Sequence, residues 1–227
     1  MTTTPSVGDE TSNRIAKVDA LRASGVDPYP VGFRRSTTCK ALHDTYGALG
    51  DGEETTVEVQ VAGRMLLRRD QGKLIFATVR DGDGTIQLFV SKAVVGDEAF
   101  AAFGDFDLGD WIGVSGTVMK TKKGELSVKV QAAQLLSKAL RPMPDKWHGL
   151  SDVDTRYRQR YADLIANDDA RRVFEIRFAV IRAMREHLLG LGYREVETPV
   201  LHPIAGGATA RPFTTHHNAL DMEFFLR

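Results

Sequence analysis

Several features that often reveal a protein's class are scarce in this sequence. It has one cysteine, Cys39, which excludes an internal disulfide and indicates a reduced, intracellular setting. The 30 basic and 30 acidic residues cancel, so overall charge does not indicate a nucleic-acid partner. No stretch approaches the roughly 20 apolar residues of a membrane span, and the polar start lacks the apolar core of a secretion signal. These absences predict a cytoplasmic protein with no membrane partner.

The 227 residues allow one large domain or two small ones, and composition divides them into five segments. Polar residues 1–11 are expected to form a disordered tail. Residues 12–50 are predicted to form a helical segment, and residues 51–138 are predicted to form a domain of short strands. Residues 139–151 hold several Pro and Gly residues and are predicted to be a linker. Residues 152–227 begin another domain.

Two short helices are predicted in the helical segment. The first is expected to be capped by Ser12 or Asn13, to run to about Ser24 and to stop at Gly25. The second is placed near residues 39–47.

Apolar residues then recur with a period of two, which is typical of half-buried strands. The predicted strands begin at about Thr56 and cover residues 73–80, residues 86–90, residues 111–120 and a last segment from Leu126. A helix is expected at residues 91–103, between the third and fourth strands. Five short antiparallel strands with a helix in that place match the OB-fold, a small β-barrel. An unrelated five-stranded sandwich, or a barrel that binds no nucleic acid, fits the strand count equally well. The fold class is therefore α+β.

One face of the predicted barrel has the composition of a single-stranded RNA site. Alternation places Phe76 and Gln87 on the outer face, with Arg69 and Glu125 at turns beside it. An exposed ring can stack a base, and amide or carboxylate groups can bond base edges. Candidate phosphate ligands are Arg68, Arg69, Lys120, Lys122 and Lys123. The structural alternative is that Phe76 packs under a loop and the charges are a solvated rim.

The last third of the sequence predicts helices followed by an extended segment. Residues 152–165 form one helical segment, and Asp168 or Asp169 is expected to cap a long helix over residues 170–191. The apolar stripe of that helix is wide, so the helix should pack on something large. A short extended segment is expected at residues 195–199.

Three runs in this region carry a resemblance to a known family. Residues 192–203 (GYREVETPVLHP), behind the long helix, resemble motif 1 of class II aminoacyl-tRNA synthetases. Residues 156–164 (RYRQRYADL) resemble the start of the catalytic domain in subclass IIb. Residues 206–213 (GGATARPF) with residues 216–221 (HHNALD) are similar to the lysine–tRNA ligases. The aspartate and asparagine enzymes share the architecture but not this glycine run. The resemblance covers the chain from about Ser12 onward.

The resemblance implies roles for matching positions. Phe76 would stack an anticodon base, the central uridine, while Arg69, Gln87 and Glu125 would bond anticodon bases or support that contact. The chain would dimerise through motif 1, with Pro199 at the interface. Gly206 would lie at the lysine pocket, where a missing side chain lets the backbone approach substrate. A flexible turn is the alternative for Gly206.

Two further polar features stay open. Arg211 is either a substrate-side cation or a structural ion-pair partner. His216 and His217 look like a metal pair, but their spacing is not that of a zinc site. No metal ligand is therefore predicted.

The family's reaction would join lysine to ATP as lysyl-adenylate and then transfer lysine to tRNA(Lys), with Mg2+ bridging phosphate oxygens. The resemblance places the ATP- and Mg2+-binding groups in motifs 2 and 3, which this chain does not contain. The chain is therefore expected to be an N-terminal portion of a class II catalytic protein, truncated after motif 1. By itself it should bind neither cofactor and form no adenylate. A non-catalytic tRNA-binding module of synthetase origin is the alternative.

Overall fold

Alternating apolar residues build the strands of the first half of the molecule. A computed structural model describes residues 7–144, 150–206 and 211–226 of the chain. The chain divides into two units, residues 1–162 and 163–227. Five strands lie in the first unit: β1 (Glu54–Gln71), β2 (Leu74–Arg80), β3 (Thr85–Ser91), β4 (Trp111–Lys120) and β5 (Leu126–Ser137). Its helices are α1 (Val7–Ala23), α2 (Cys39–Tyr46), α3 (Lys92–Val95), α4 (Asp97–Gly104) and α5 (Val153–Arg158).

The five strands close into a barrel in the order β1-β2-β3-β5-β4, which confirms the OB-fold. One correction concerns strand direction, because β3 and β5 pair in parallel, from Gln87 opposite Ser127 to Phe89 opposite Lys129. Strand direction cannot alternate around a ring with an odd number of strands, so one pair has to be parallel. All other pairs are antiparallel.

The barrel core follows the period of two. In β2, the side chains of Ile75, Ala77 and Val79 are buried, whereas Phe76 and Thr78 between them are partly exposed. The buried cluster also includes Ile86, Leu88 and Val90 of β3, Val114 and Val118 of β4, and Val128 and Val130 of β5. The predicted period of two is therefore confirmed in the second and third strands.

Two elements differ from their predicted extent. β1 is longer than expected, and the register shifts between Met65 and Leu67, as in a β-bulge. The single helix expected at residues 91–103 is two helices, because Gly96 between them has a positive φ of 83° that breaks the helical path.

Helix α1 begins at Val7, so part of the expected tail is helical, and Met1–Ser6 lie outside the described residues. Arg14 ties this helix to the barrel unit by donating to the carbonyls of Leu108 and Ala139, at 3.0 and 3.1 Å. Lys17 forms an ion pair of 2.7 Å with Asp107. These contacts place α1 at one end of the barrel unit.

A buried ion pair lies beneath α1. Lys138 contacts Asp110 at 2.7 Å, and the side chains are 3% and 0% exposed. Asp107 also binds Lys138. Burial raises the pKa of Asp107, but the hydrogen bonds from Lys138 and Lys17 outweigh it and the net pKa is lowered. The pairing compensates the cost of burying these charges.

Helix α2 is held by Asp81 of the β2–β3 turn. One Asp81 oxygen accepts from the Cys39 backbone N–H at 2.8 Å, and the other accepts from the N–H groups of Asp83 and Gly84 at 2.9 Å. These bonds close the turn at residues 81–84. Burial raises the pKa of the Cys39 thiol to about 12, so the lone cysteine is an unreactive core residue.

The second unit holds a long helix and a small sheet. Helix α6 (Arg160–Ala166) spans the boundary, and α7 (Asp168–Gly190) follows. The short strands β6 (Leu201–His202), β7 (Thr214–His217) and β8 (Met222–Leu226) form a sheet in the order β6-β8-β7. No regular strand forms at residues 195–199.

Two helix predictions in this region need correction. The single segment expected at residues 152–165 is divided between α5 and α6 at Gln159, whose ψ of 52° is not helical. The cap of α7 is Asn167 rather than Asp168 or Asp169, since its side chain accepts from the N–H groups of Asp169 and Ala170.

The wide apolar side of α7 is exposed. Val173, Ile176, Val180 and Met184 are between 52% and 64% exposed. Among the described residues, no helix is both long and apolar enough to cross a membrane.

Candidate nucleic-acid interface

The outer face of β1, β2, β3 and β5 brings the predicted RNA-binding residues together. Across the strands, Arg69 pairs with Phe76, Phe76 pairs with Phe89, and Phe89 pairs with Lys129. Directly paired residues point to the same side of a sheet, so these four side chains form one row. We call this the aromatic row. It lies where the OB-fold places its usual nucleic-acid face.

Two phenylalanines form the centre of the aromatic row. The rings of Phe76 and Phe89 meet edge to face, with centroids 5.4 Å apart and planes at 67°. Both side chains are partly exposed. Because the edge of one ring is used against the other, the pair is oriented while remaining open to solvent. Phe89, which the sequence analysis did not single out, is thus the partner of Phe76.

A second row runs parallel to the first and contains Gln87. Thr78 pairs with Gln87, and Gln87 pairs with Ser127. The Gln87 amide donates to the Ser127 hydroxyl at 2.9 Å, and that hydroxyl donates to the Glu125 carbonyl at 3.1 Å. Gln87 lies on the predicted outer face but is only 9% exposed, and Ser127 beside it is fully buried.

Arg69 and Glu125 border the two rows. Arg69 is exposed and lies within β1 opposite Phe76, not at a turn, because β1 runs two residues beyond it. Glu125 is exposed in the turn before β5, which closes through a hydrogen bond of 2.9 Å from the Thr121 N–H to the Glu125 carbonyl. Gly124 supplies a positive φ of 82° in that turn.

Two of the predicted phosphate ligands are engaged elsewhere. Arg68 donates to the carbonyls of Gly104 and Phe106 at the end of α4, because its partner across the strands is the inward-facing Ala77. Lys120 donates to the carbonyls of Gly47 and Leu49 at 3.2 and 2.9 Å. Both side chains therefore satisfy backbone carbonyls instead of facing a ligand.

The remaining cations border the interface. Lys122 and Lys123 are exposed in the turn before Glu125. Lys129, in the aromatic row, forms an ion pair of 2.7 Å with Glu54. Arg69, Lys122 and Lys123 are thus the cations of the predicted set that stand at the edge of the face.

The candidate residues of the second unit are exposed. Pro199, Gly206 and Arg211 all face solvent, and a Cβ added at Gly206 would meet no atom within 4 Å. The rest of the predicted glycine run, residues 207–210, lies outside the described residues, as does the 145–149 part of the linker.

The histidine pair makes local contacts. The His216 Nε2 atom lies 3.3 Å from Asp221, and His217 Nδ1 accepts from the Leu220 N–H at 3.2 Å. Within residues 7–144, 150–206 and 211–226, no group of three or more His, Cys, Asp or Glu side chains could hold a metal ion. The described residues therefore do not fit a Mg2+ site.

Comparison with known families agrees with this arrangement. Residues 59–136 match the family model described as "OB-fold nucleic acid binding domain". Residues 152–227 match the model described as "tRNA synthetases class II (D, K and N)". The chain thus matches a nucleic-acid-binding barrel family and, after it, a class II tRNA synthetase family.

Curated relatives narrow the family. The chain is 50% identical to a lysine–tRNA ligase of Cupriavidus pinatubonensis over 95% of its own length and 42% of the relative. It is 54% identical to the lysine–tRNA ligase of Pasteurella multocida, over 94% of its own length and 43% of the relative. It is 51% identical to that of Enterococcus faecalis, over 97% of its own length and 45% of the relative. Over nearly its whole length, the chain is therefore similar to lysine–tRNA ligases. It spans less than half the length of the curated relatives it matches.

Proposed function

We propose that the barrel reads the anticodon of a lysine tRNA on the face formed by the aromatic row. The observation that carries this proposal is the oriented, solvent-open Phe76 beside Gln87, on a barrel whose family is described as nucleic acid binding. A splayed base stacked on an aromatic ring is the usual mode of single-strand recognition by such barrels.

The neighbouring groups suit a bound base. Arg69 stands opposite Phe76 and can hold a phosphate or a base edge. Gln87 is recessed beside the ring, where an amide can read a base edge. Glu125, in its ordered turn, can accept from a neighbouring base, and Lys122 and Lys123 can contact the backbone. Together these residues would bind a short single-stranded RNA segment whose central base stacks on Phe76.

We further propose that the chain takes part in lysine–tRNA ligation. The support is its family and the name carried by its relatives, lysine–tRNA ligase. The reaction would activate lysine with ATP and Mg2+ as lysyl-adenylate and transfer it to tRNA. In this reading Gly206 belongs to the lysine pocket, and the region of α7 and Pro199 forms a homodimer interface.

The anticodon proposal is tested by RNA binding to the purified chain. An RNA stem–loop with the lysine anticodon should bind, and Phe76→Ala should weaken its binding by roughly 5- to 150-fold, since stacking contributes roughly 1–3 kcal/mol per base. Fluorescence anisotropy at fixed salt measures both, because phosphate contacts make affinity salt-dependent.

A matched control is available in the segment between α1 and α2. Phe33 is also half-buried, but its ring packs over Gly113 of β4. Phe33→Ala should leave RNA affinity close to that of the parent. Equal losses for the two variants, or no loss for Phe76→Ala, would contradict anticodon reading on this face.

A further inference from the structure

The hydrogen-bond chain from Gln87 to Glu125 has a fixed polarity. A backbone carbonyl can only accept, so the Ser127 hydroxyl uses its single hydrogen on the Glu125 carbonyl. Ser127 can then only accept from Gln87, which must present its NH2 group. The amide orientation of Gln87, usually ambiguous, follows here from the chemistry of its partners.

These hydrogen bonds are also shielded from water and anchored at one end. Ser127 is fully buried and Gln87 is 9% exposed, so water has little access to compete for these bonds. The Glu125 carbonyl at its end also accepts from the Thr121 N–H at 2.9 Å, which holds the turn in place. Within the described part of the chain, Ser127 is the one side chain hydrogen-bonded to Gln87.

This polarity decides what Gln87 can recognise. With its NH2 held by Ser127, the amide keeps its oxygen on the other side as an acceptor, with its second N–H beside it. Uracil presents a donor at N3 and an acceptor at O4, which matches that order. Cytosine presents an acceptor at N3 and a donor at N4, which needs the amide turned by 180°.

We propose that Ser127 is a specificity-determining positioning residue, which locks the Gln87 amide in the orientation that accepts uracil and rejects cytosine beside Phe76. This inference rests on the proposed anticodon function. Ser127 itself touches no base. It acts by making the flipped amide costly, since a flip would set the amide oxygen against a hydroxyl oxygen that has no hydrogen left to give.

The test compares two RNA stem–loops that differ only in a central U or C. The parent chain should prefer U by roughly 5- to 150-fold, the range for a paired base contact. In Ser127→Ala the amide is free to turn, so the U-to-C ratio should fall towards one, chiefly through tighter binding of C. Ser127→Cys keeps the size but has a weak acceptor, so it should show a partial fall even where Ser127→Ala folds poorly.

Controls separate this inference from a structural effect and from the proposed function. Ser115→Ala, on β4, should keep the parent ratio. An unchanged ratio in folded Ser127→Ala, or parallel weakening of both RNAs, would overturn the positioning role. Phe76→Ala is measured alongside. If the parent needs Phe76 but does not distinguish U from C, only the positioning role fails. If the parent binds neither RNA, the anticodon function fails.

Discussion

At the residue scale, a single carboxylate joins two parts of the barrel unit. Asp81 accepts three backbone N–H groups, one from the first residue of α2 and two from its own turn. Burial raises the pKa of Asp81, but the bonds from Cys39, Asp83 and Gly84 outweigh it and leave the net pKa lowered. The ionised form is therefore the one that the folded chain stabilises.

This predicts a stability that depends on pH. A group with a lowered pKa in the folded state adds stability above its unfolded pKa, about 3.9 for Asp, and loses it as pH falls through the folded value. Asp81→Asn should lower the free energy of unfolding at pH 7 by about 1.5–3 kcal/mol, the range for hydrogen bonds to a charged group. The difference in unfolding free energy between the parent and Asp81→Asn should become smaller below about pH 4. Urea unfolding across this pH range measures it.

The neighbouring Asp83 supplies the control. Its side chain is exposed and only its backbone N–H takes part in the turn. Asp83→Asn should match the parent at every pH. A gap for Asp81→Asn that stays constant down to pH 3 would show that ionisation of Asp81 does not contribute.

At the element scale, β4 depends on glycine at two positions for different reasons. A Cβ at Gly116 would lie 2.0 Å from the Lys129 carbonyl oxygen, and a Cβ at Gly113 would lie 2.6–2.8 Å from the ring of Phe33. The first obstacle is the backbone of the paired strand, at a register shift. The second is a half-buried side chain that can turn aside.

We therefore expect the two alanine variants to differ. Gly116→Ala should destabilise the chain by about 3 kcal/mol or more, because β4 and β5 would have to separate locally. Gly113→Ala should lower the free energy of unfolding by roughly 1 kcal/mol, chiefly because the new methyl group displaces the ring of Phe33. Urea unfolding of both variants, followed by far-UV circular dichroism, measures the difference. A larger loss for Gly113→Ala would contradict this assignment of the constraints.

The elements also show what sequence can predict. Period-two alternation located the strands and set Phe76 on the outer face, because strand geometry is local. It did not locate the break at Gly96 or the cap at Asn167, where several neighbouring residues fit equally well. Arg68 and Ser127 could not be assigned, since their roles depend on strand register, which is set by contacts between distant residues. The contact of Ser127 with Gln87 could have been predicted only if β3 had been paired with β5 before residues were assigned to the outer face.

At the scale of the whole molecule, the two units differ in how they cover apolar surface. The barrel encloses its valines and isoleucines, whereas α7 leaves a continuous stripe open. Large exposed apolar patches mark interaction sites. Each aliphatic side chain that passes from exposed to fully buried contributes roughly 1.5–3 kcal/mol. Four such residues in one stripe are therefore a strong reason to expect a covering surface.

We predict that this stripe contacts a second copy of the chain, in line with the homodimer proposed above. Met184→Glu, alone and with Ile176→Glu, should shift the chain towards monomer, because an unpaired carboxylate in an apolar interface is costly. Glutamate is a good helix former, so α7 itself should persist. Sedimentation equilibrium over a range of concentrations measures the association. Val31→Glu is the control, since Val31 is 97% exposed in the barrel unit, and it should associate like the parent. A parent chain that stays monomeric throughout, or variants that associate as the parent does, would show that α7 is covered by something other than its own copy.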